Sequence, residues 1–196
     1  SLAPVQVVLV PIYKTDAERA SVLEACRQLA SGLSGVRVKV DDRDEKSPGF
    51  KFNEWEVKGV PVRVEIGPKD LAASQATIVR RDTSAKEAWP LKKCTADAFQ
   101  KLLQSVQDGL YAQAERFLND HTCEAKTYAE LKEHIDGEGG FVWAPWDGEL
   151  ATAEKIQNEL KASIRLLDPD AARAKGRKDI LSGTPAKSMA LYAKAY

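Results

Sequence analysis

Long apolar runs, paired cysteines and an excess of charge of one sign are all missing from this sequence of 196 residues. No apolar run approaches the roughly 20 residues that a membrane-spanning helix requires. The three cysteines, Cys26, Cys94 and Cys123, are far apart. This spacing indicates neither a disulfide framework nor a zinc site and is typical of a protein of the reducing cytoplasm. The 29 basic and 29 acidic residues cancel, so any site for nucleic acid must be a local patch.

What the sequence does contain is an alternation of strand and helix patterns. The continuous aliphatic run Val5–Val10 predicts a strand that is covered on both faces. Thr15 and Glu18 have the spacing of a capping box, and apolar residues at helical spacing follow them as far as Leu33. Such alternation favours an α/β fold with a mainly parallel sheet and helices on both of its faces.

Two strands with alternating valines, Val36–Val40 and Val60–Ile66, flank a segment rich in charge. Within that segment the Pro-Gly pair at 48–49 predicts a turn, and Lys51–Lys58 predicts a short helix. Further along, strand patterns are found at 76–80 and, as an edge strand, at 86–91.

A long helix that is capped by Thr95 follows, with an apolar stripe that reaches Phe117. The pattern then changes and predicts a second set of elements: a helix at 128–135, a strand at 141–146, a helix at 148–160, a strand at 163–167, a loop at 168–186 and a last strand at 189–196. This change predicts two domains, residues 1–104 and 105–196, with the boundary inside the long helix.

Between Phe52 and Asp70 the chain gathers the three kinds of side chain that read unpaired bases: carboxylates, guanidinium groups and aromatic rings. Phe52 and Glu56 are four residues apart on the predicted helix and therefore share a face. Arg63 and Glu65 share the face of the next strand that is opposite to its valines. The segment is a candidate surface for reading single-stranded RNA.

Lys69 and Asp70 extend this candidate surface into the turn after the strand, at the carboxyl end where open α/β sheets usually bind ligands. Trp55 is one residue off the face shared by Phe52 and Glu56, and we expect it to pack rather than to stack on a base. On the residues alone a simpler interpretation stays open, because charges that alternate with valines are usual on a solvated strand face.

The phrase PGFKFNEWEVKGVPVRVEIGPKD, together with VVLVPIY, ATIVRRD and the terminal LYAKAY, closely resembles the C-terminal third of class II prolyl-tRNA synthetases of the archaeal/eukaryotic type. The resemblance covers nearly the whole chain. It implies an anticodon-binding domain with a mainly parallel, five-stranded α/β sheet, followed by a small α/β C-terminal domain.

The resemblance also implies a set of site residues. In the family, the two guanines of the proline anticodon are bound by the residues that match Glu56, Arg63 and Asp70. The residues that match Phe52, Lys69 and Lys86 make neighbouring contacts with the anticodon loop. Two further positions, Asp44 and Arg80, fall where the related threonyl enzyme contacts its anticodon.

The implied parent enzyme is a proline–tRNA ligase, which uses ATP with Mg to activate proline and transfers it to tRNA. The implied partners are the anticodon loop of proline tRNA and the catalytic domain of the parent enzyme. The parent is expected to be a cytoplasmic homodimer that forms chiefly through that catalytic domain. This chain contains no class II catalytic motif and no Gly-rich phosphate loop, since the GEGG at 137–140 lacks the following Lys. We therefore expect it to be non-catalytic and to need no cofactor of its own.

Many members of the family hold zinc with four cysteines in the C-terminal domain. The corresponding positions here are Asp147, Thr152, Asp179 and Ser182, which do not suit a structural zinc site. We expect zinc to be absent and apolar packing to take its place, with an oxygen-ligand site for another cation as a minor alternative. The packing residues would be Phe141, Trp143, Trp146 and Leu166. The family's terminal Tyr folds toward the catalytic domain, so Tyr196 is expected to be exposed or packed within the chain.

Two other interpretations belong to different classes. A free-standing paralogue that serves as an accessory or adaptor subunit would keep the core valines but would not need Glu56, Arg63 and Asp70 together. A small α/β enzyme that uses Glu54 and Glu56 for acid–base chemistry would need a closed pocket with perturbed carboxylates.

Overall fold

The computed structural model of this chain describes residues 3–137 and 139–194. The chain divides into two compact units, Ser1–Ala112 and Gln113–Tyr196. Within the described residues no helix is long and apolar enough to cross a membrane.

The first unit is a five-stranded sheet with helices on both faces. Its strands are β1 (Val7–Pro11), β2 (Val38–Val40), β3 (Val62–Ile66), β4 (Gln75–Arg80) and β5 (Lys86–Pro90). Its helices are α1 (Asp16–Gly32), α2 (Pro48–Val57), α3 (Pro68–Ala72) and the first part of α4 (Ala96–Asp120). The strand order is β2-β1-β3-β4-β5.

The sheet is mixed, so the expectation of a mainly parallel sheet is wrong. β1, β2 and β3 are parallel, whereas β4 is antiparallel to both β3 and β5. A parallel crossover needs about a dozen residues or more. Only residues 67–74 connect β3 to β4, and only residues 81–85 connect β4 to β5. The chain therefore has to return in the opposite direction at both places.

β1 lies inside the sheet, between β2 and β3, and is buried on both faces, as its unbroken aliphatic run predicts. Val7 and Leu9 belong to the apolar core formed with α1 and α4, and Val8 and Val10 lie on the other face. On that second face Phe52 and Trp55, both from α2, pack against the valines. This packing fixes which side of α2 faces the sheet.

Helix α2 begins three residues earlier than the sequence pattern indicates. The predicted turn at 48–49 is the first turn of the helix: Pro48 occupies an opening position, and Ser47 Oγ accepts a hydrogen bond from the backbone N–H of Phe50 at 3.3 Å. Proline suits this position because the first helical N–H groups have no partner within the helix.

A buried carboxylate attaches α2 to the end of β2. Asp41 is 2% exposed, and its side chain accepts hydrogen bonds from Arg43 Nη2 and Trp55 Nε1, both at 2.7 Å. The buried Lys51 donates to the backbone carbonyl of Asp41 at 3.0 Å. Burial by itself raises the pKa of Asp41, but the hydrogen bonds from Arg43 and Trp55 and the charge of Lys51 outweigh it and lower the pKa to about 2.

The second unit has its own sheet and its own apolar core. Its elements are β6 (Thr122–Glu124), α5 (Tyr128–Asp136), β7 (Phe141–Trp146), α6 (Leu150–Leu160), β8 (Ala162–Leu167) and β9 (Ser188–Lys194). The strand order is β6-β7-β9-β8, with β6 and β7 parallel and the other pairs antiparallel. The sequence pattern does not predict β6, since three residues are too few to show an alternation.

The segment expected to be a loop, 168–186, contains local structure. A 3₁₀ turn is formed at Ala171–Ala174, and an isolated bridge joins Lys178 to Pro185. The expectation for Tyr196 falls outside the described residues.

The buried Asp41 generates a prediction about stability. Asp41→Asn should lower the free energy of unfolding at neutral pH by about 2–4 kcal/mol, because it removes the charge that Arg43 and Lys51 face. Because folding lowers this pKa, the stabilisation is complete above the unfolded-state pKa of about 3.9 and is lost as the pH falls toward the folded value. Denaturant titrations of both proteins from pH 7 to pH 2 measure this difference.

The neighbouring Asp42 provides the control, since it is exposed and its one ion pair within the described residues is with Arg27, at 3.7 Å. Asp42→Asn should change the free energy of unfolding by less than about 1 kcal/mol. A difference between wild type and Asp41→Asn that stays constant down to pH 2 would contradict the assigned role of the Asp41 charge.

Candidate functional site

Helix α2 and strand β3 meet at a stacked guanidinium group. The Cζ atom of Arg63 lies 4.2 Å from the centre of the Phe52 ring. Arg63 also donates from Nε to Glu65 Oε1 at 3.0 Å, and its Nη2 forms an ion pair with the same oxygen at 2.9 Å. Residues two apart on a strand share a face, which is why this pair can form. The predicted site residues Phe52 and Arg63 are therefore in direct contact.

A concavity of about 120 Å³ opens beside this pair. Four of the predicted site residues line it, together with Trp55 and Arg81: Glu56, Arg63, Arg80 and Lys86. The carboxylate of Glu56 is exposed and has no polar partner among the described residues. The concavity therefore combines a free acceptor group with several cationic donors.

Arg80 is already engaged by a neighbouring carboxylate. It donates from Nε and Nη2 to the two oxygens of Asp82, at 3.0 and 2.7 Å, and from Nη1 to Ser105 at 3.1 Å. The hydrogen bond with Asp82 raises the pKa of Arg80 and lowers that of Asp82. Since Ser105 belongs to α4 and Arg80 is paired with the core residue Val62, the Arg80 guanidinium lies on the opposite face of the sheet from Arg63.

Arg81 lines the concavity as well, and the sequence reasoning missed it. Its Nε donates to the backbone carbonyl of Glu56 at 3.0 Å, which ties the end of β4 to the last turn of α2. The carbonyls of a last helical turn lack helical N–H partners, so a cation is favoured there. The available signal was the Arg-Arg pair directly after a strand.

Lys69 and Asp70 lie at the other end of β3. Arg80 is paired with Val62, the first residue of β3, whereas α3 begins just after Ile66, the last one. At a rise of about 3.3 Å per residue the strand separates the two groups by about 13 Å. Asp70 Oδ2 accepts from the backbone N–H of Gly67 at 2.9 Å and so holds the turn.

Asp44, a further predicted residue, is held in the loop between β2 and α2. Arg19 donates to it from Nε at 3.0 Å and pairs with its second oxygen at 2.8 Å, and the hydroxyl of Tyr13 donates to it as well. The bond from Arg19 lowers the pKa of Asp44, so this carboxylate stays ionised. It does not line the concavity.

In the second unit, the four positions considered for zinc form a hydrogen-bonded cluster. Asp147 Oδ2 accepts from the hydroxyls of Thr152 at 2.9 Å and Ser182 at 2.8 Å. Asp179 accepts from the backbone N–H groups of Asp147 at 3.2 Å and Ser182 at 2.7 Å. The carboxylates are thus already satisfied by N–H and O–H donors, and the donor set does not fit zinc.

The apolar packing expected in place of zinc is found only in part: Trp146 packs against the apolar core of the second unit. Leu166, by contrast, is 53% exposed. The ring of Trp143 stacks against Arg173, whose Cζ atom lies 5.1 Å from the ring centre. The polar residues themselves connect β7, α6 and the segment before β9. Burial raises the pKa of Asp147, but hydrogen bonds from the Glu149 N–H and the surrounding hydroxyls outweigh it and leave the pKa lowered.

Comparison with known proteins adds an independent line of evidence. Residues 6–102 match the family model described as an anticodon binding domain, and residues 128–196 match the model described as prolyl-tRNA synthetase, C-terminal. The chain belongs to the prolyl-tRNA synthetase family.

Relatives in this family are similar to the chain along its whole length. Proline–tRNA ligases from Rubrobacter xylanophilus, Roseiflexus castenholzii and Flavobacterium johnsoniae are 46%, 44% and 43% identical to it. The matches cover 100% of this chain but only 40–41% of each relative. This prolyl-tRNA synthetase chain thus corresponds to the C-terminal part of its relatives, and the comparisons give no support to a free-standing paralogue.

The Asp147 cluster generates a prediction about metal dependence. Asp147→Ala should lower the free energy of unfolding by about 2–4 kcal/mol, because hydroxyl and backbone N–H donors lose their acceptor. A strong zinc chelator should leave the unfolding midpoint of the wild type unchanged. Thermal unfolding followed by circular dichroism, with and without chelator, measures both effects.

Asp120→Ala is a suitable control, since Asp120 is exposed and has no polar partner among the described residues. A fall of the wild-type midpoint on addition of chelator would contradict the view that hydrogen bonds occupy these positions.

Proposed function

We propose that this chain is the tRNA-selecting part of a proline–tRNA ligase and that it reads the guanines of the proline anticodon. The proposed contact surface, which we name the α2/β3 surface, consists of Phe52, Glu56, Arg63, Lys69, Asp70 and Lys86, with Asp44 and Arg80 as secondary members. The observation that carries the proposal is the concavity in which the free carboxylate of Glu56 faces the same space as Arg63.

Glu56 has the chemistry to recognise guanine. Guanine presents two N–H donors on its Watson–Crick edge, and a carboxylate offers two acceptor oxygens. Since Glu56 is exposed and has no polar partner in the described part of the chain, its carboxylate breaks no internal hydrogen bond when it binds a base. Adenine presents a different donor pattern on this edge and leaves part of the carboxylate unsatisfied.

Arg63 and Phe52 supply the complementary donors and a flat apolar surface. A guanidinium group donates to O6 and N7 of guanine, and an aromatic ring stacks on a base with about 1–3 kcal/mol. In the ligand-free chain the Arg63 guanidinium covers one face of Phe52, so a base would stack on the guanidinium plane or on the rest of the ring.

The lysines and Asp70 complete the proposed surface. Lys69 is exposed on the first turn of α3, and Lys86 projects from the edge strand β5, where both suit phosphate contacts. At a spacing of about 3.4 Å between stacked bases, the roughly 13 Å between the two ends of β3 is the length of several bases. The surface is therefore long enough to contact more than one nucleotide, with Asp70 at a second one.

The remaining features of the parent enzyme follow from family membership and are proposals. The parent activates proline with ATP and Mg, contains the catalytic domain outside this chain and forms a homodimer in the cytoplasm. The subtype that the C-terminal domain suggests is the archaeal/eukaryotic one. We assign residues 1–104 to the anticodon-binding domain and residues 105–196 to the C-terminal domain, a division supported by the separate matches at 6–102 and 128–196.

The first test measures base reading directly. The chain should bind a proline-anticodon stem-loop about tenfold more tightly than the same loop with both guanines replaced by adenine, a difference of about 1.4 kcal/mol. Fluorescence titrations at one fixed salt concentration give both constants. Equal affinity for the two loops would contradict the proposal and leave only a phosphate contact.

A second test separates base contacts from phosphate contacts. Glu56→Gln should weaken the guanine loop selectively, because one acceptor oxygen becomes an N–H₂ donor. Lys69→Ala should weaken both loops alike and reduce the slope of log K against log salt by about one. Lys155→Ala, on the exposed side of α6, is the matched control. Identical behaviour of the Glu56 and Lys69 variants would show that the assigned roles are wrong.

A further inference from the structure

We propose that Glu65 is a positioning residue that gives the α2/β3 surface its base specificity, because it fixes the Arg63 guanidinium group and neutralises its charge. This inference rests on the proposed function and gives a specific role to Glu65, which is not among the contact residues of the α2/β3 surface. It makes specificity depend on a carboxylate that need not touch the RNA.

The geometry around Glu65 is that of a support for Arg63. Both side chains are largely buried, with exposures of 12% for Glu65 and 14% for Arg63. Glu65 Oε1 accepts a hydrogen bond from Arg63 Nε at 3.0 Å and forms an ion pair with Nη2 at 2.9 Å. The ring of Phe52 lies 4.2 Å from the Arg63 Cζ atom. The guanidinium group is thus held by a hydrogen-bonded edge and a stacked face.

This arrangement leaves donors available for a ligand. An arginine carries five N–H donors in a fixed plane, and the hydrogen bond to Glu65 uses only the Nε donor, so donors on the terminal nitrogens remain. A free arginine loses side-chain entropy when it binds, whereas one that is already held in place loses less. Glu65 therefore lowers the cost of directed hydrogen bonding by Arg63.

The charge of Glu65 acts on a second cation as well. The Nζ atom of Lys86 lies 3.9 Å from the same oxygen, Oε1. Arg80 also pairs with a largely buried carboxylate, Asp82, but it contacts Ser105 of α4 and lies on the opposite face of the sheet from Arg63. On the α2 face, the carboxylate of Glu65 thus offsets the charges of both Arg63 and Lys86. Phosphate attraction, which is the same for every sequence, is reduced, and a larger share of the binding energy must come from base contacts.

The decisive variant is Glu65→Gln, which preserves size and one acceptor oxygen but removes the charge. We expect the Glu65→Gln variant to bind the adenine-substituted stem-loop more tightly than the wild type does. The salt slope should become steeper by about one, because one more cation is free to neutralise phosphate. The guanine preference should fall at least about threefold.

Two controls separate positioning from a general structural role. Glu154→Gln, an exposed change of the same type on α6, should alter neither the preference nor the salt slope. In the background of Arg63→Ala, adding Glu65→Gln should leave the guanine preference unchanged, because Glu65 acts on it through Arg63. A further loss of preference in that background would overturn the proposal.

Glu65→Asp keeps the test decisive where the glutamine variant is too unstable to purify. This variant retains the charge but shortens the side chain by one methylene group, so the salt slope should match wild type while the guanine preference falls. If either variant retained the full guanine preference, the role assigned to Glu65 would be wrong, while the proposed function would stand. Equal binding of both loops by wild type would instead refute the proposed function, and this inference with it.

Discussion

The candidate site depends on one buried carboxylate, that of Asp41. It lies just after β2 and accepts hydrogen bonds from Arg43 and from the indole of Trp55, while Lys51 binds its backbone carbonyl. Lys51 and Trp55 both belong to α2, so these bonds fix the position and the rotation of that helix over the sheet. Because Phe52 and Glu56 are carried by the same helix, their placement against β3 follows from the same constraint. A buried charge with several donors is a directional contact, which apolar packing of Phe52 and Trp55 on the valines of β1 cannot supply alone.

The α2/β3 surface contains two kinds of charged group. Arg63 and Arg80 are each paired with a largely buried carboxylate and have restricted conformations. The side chains of Glu56 and Lys69 are exposed and have no polar partner within the described residues. The first kind is organised before a ligand arrives, and the second kind is free to adapt. On the proposed function, this division allows a chain with no net charge to present a local site for RNA: its cations are concentrated and oriented, rather than numerous.

The sequence predicted those features that depend on local pattern. The buried strand β1, the capping box of α1 and the charged faces of α2 and β3 all follow from residue spacing, and Phe52 and Arg63 do lie in contact. The errors arose where the outcome depends on lengths and on tertiary partners. The short connections at 67–74 and 81–85 force antiparallel returns, which strand patterns alone do not show. Pro48 suits both a turn and a helix start. Residues that are far apart in sequence are joined in the cluster around Asp147 and in the bond from Arg81 to α2. A periodic pattern in the sequence does not predict such contacts.

On the proposed function, paired cations suit the selection of a tRNA better than the holding of one. Unpaired lysines and arginines bind any phosphate backbone, and that affinity is equal for correct and incorrect tRNAs. Specificity is a difference between two affinities, so a device that lowers the shared component does not reduce discrimination and shortens the residence of wrong partners. The carboxylate of Glu65 acts in this sense, because it offsets the charges of Arg63 and Lys86 and so reduces phosphate attraction while Arg63 remains directed at a base. Most of the total affinity then has to come from contacts elsewhere on the tRNA. The matched relatives are longer than this chain, which covers only 40–41% of their length.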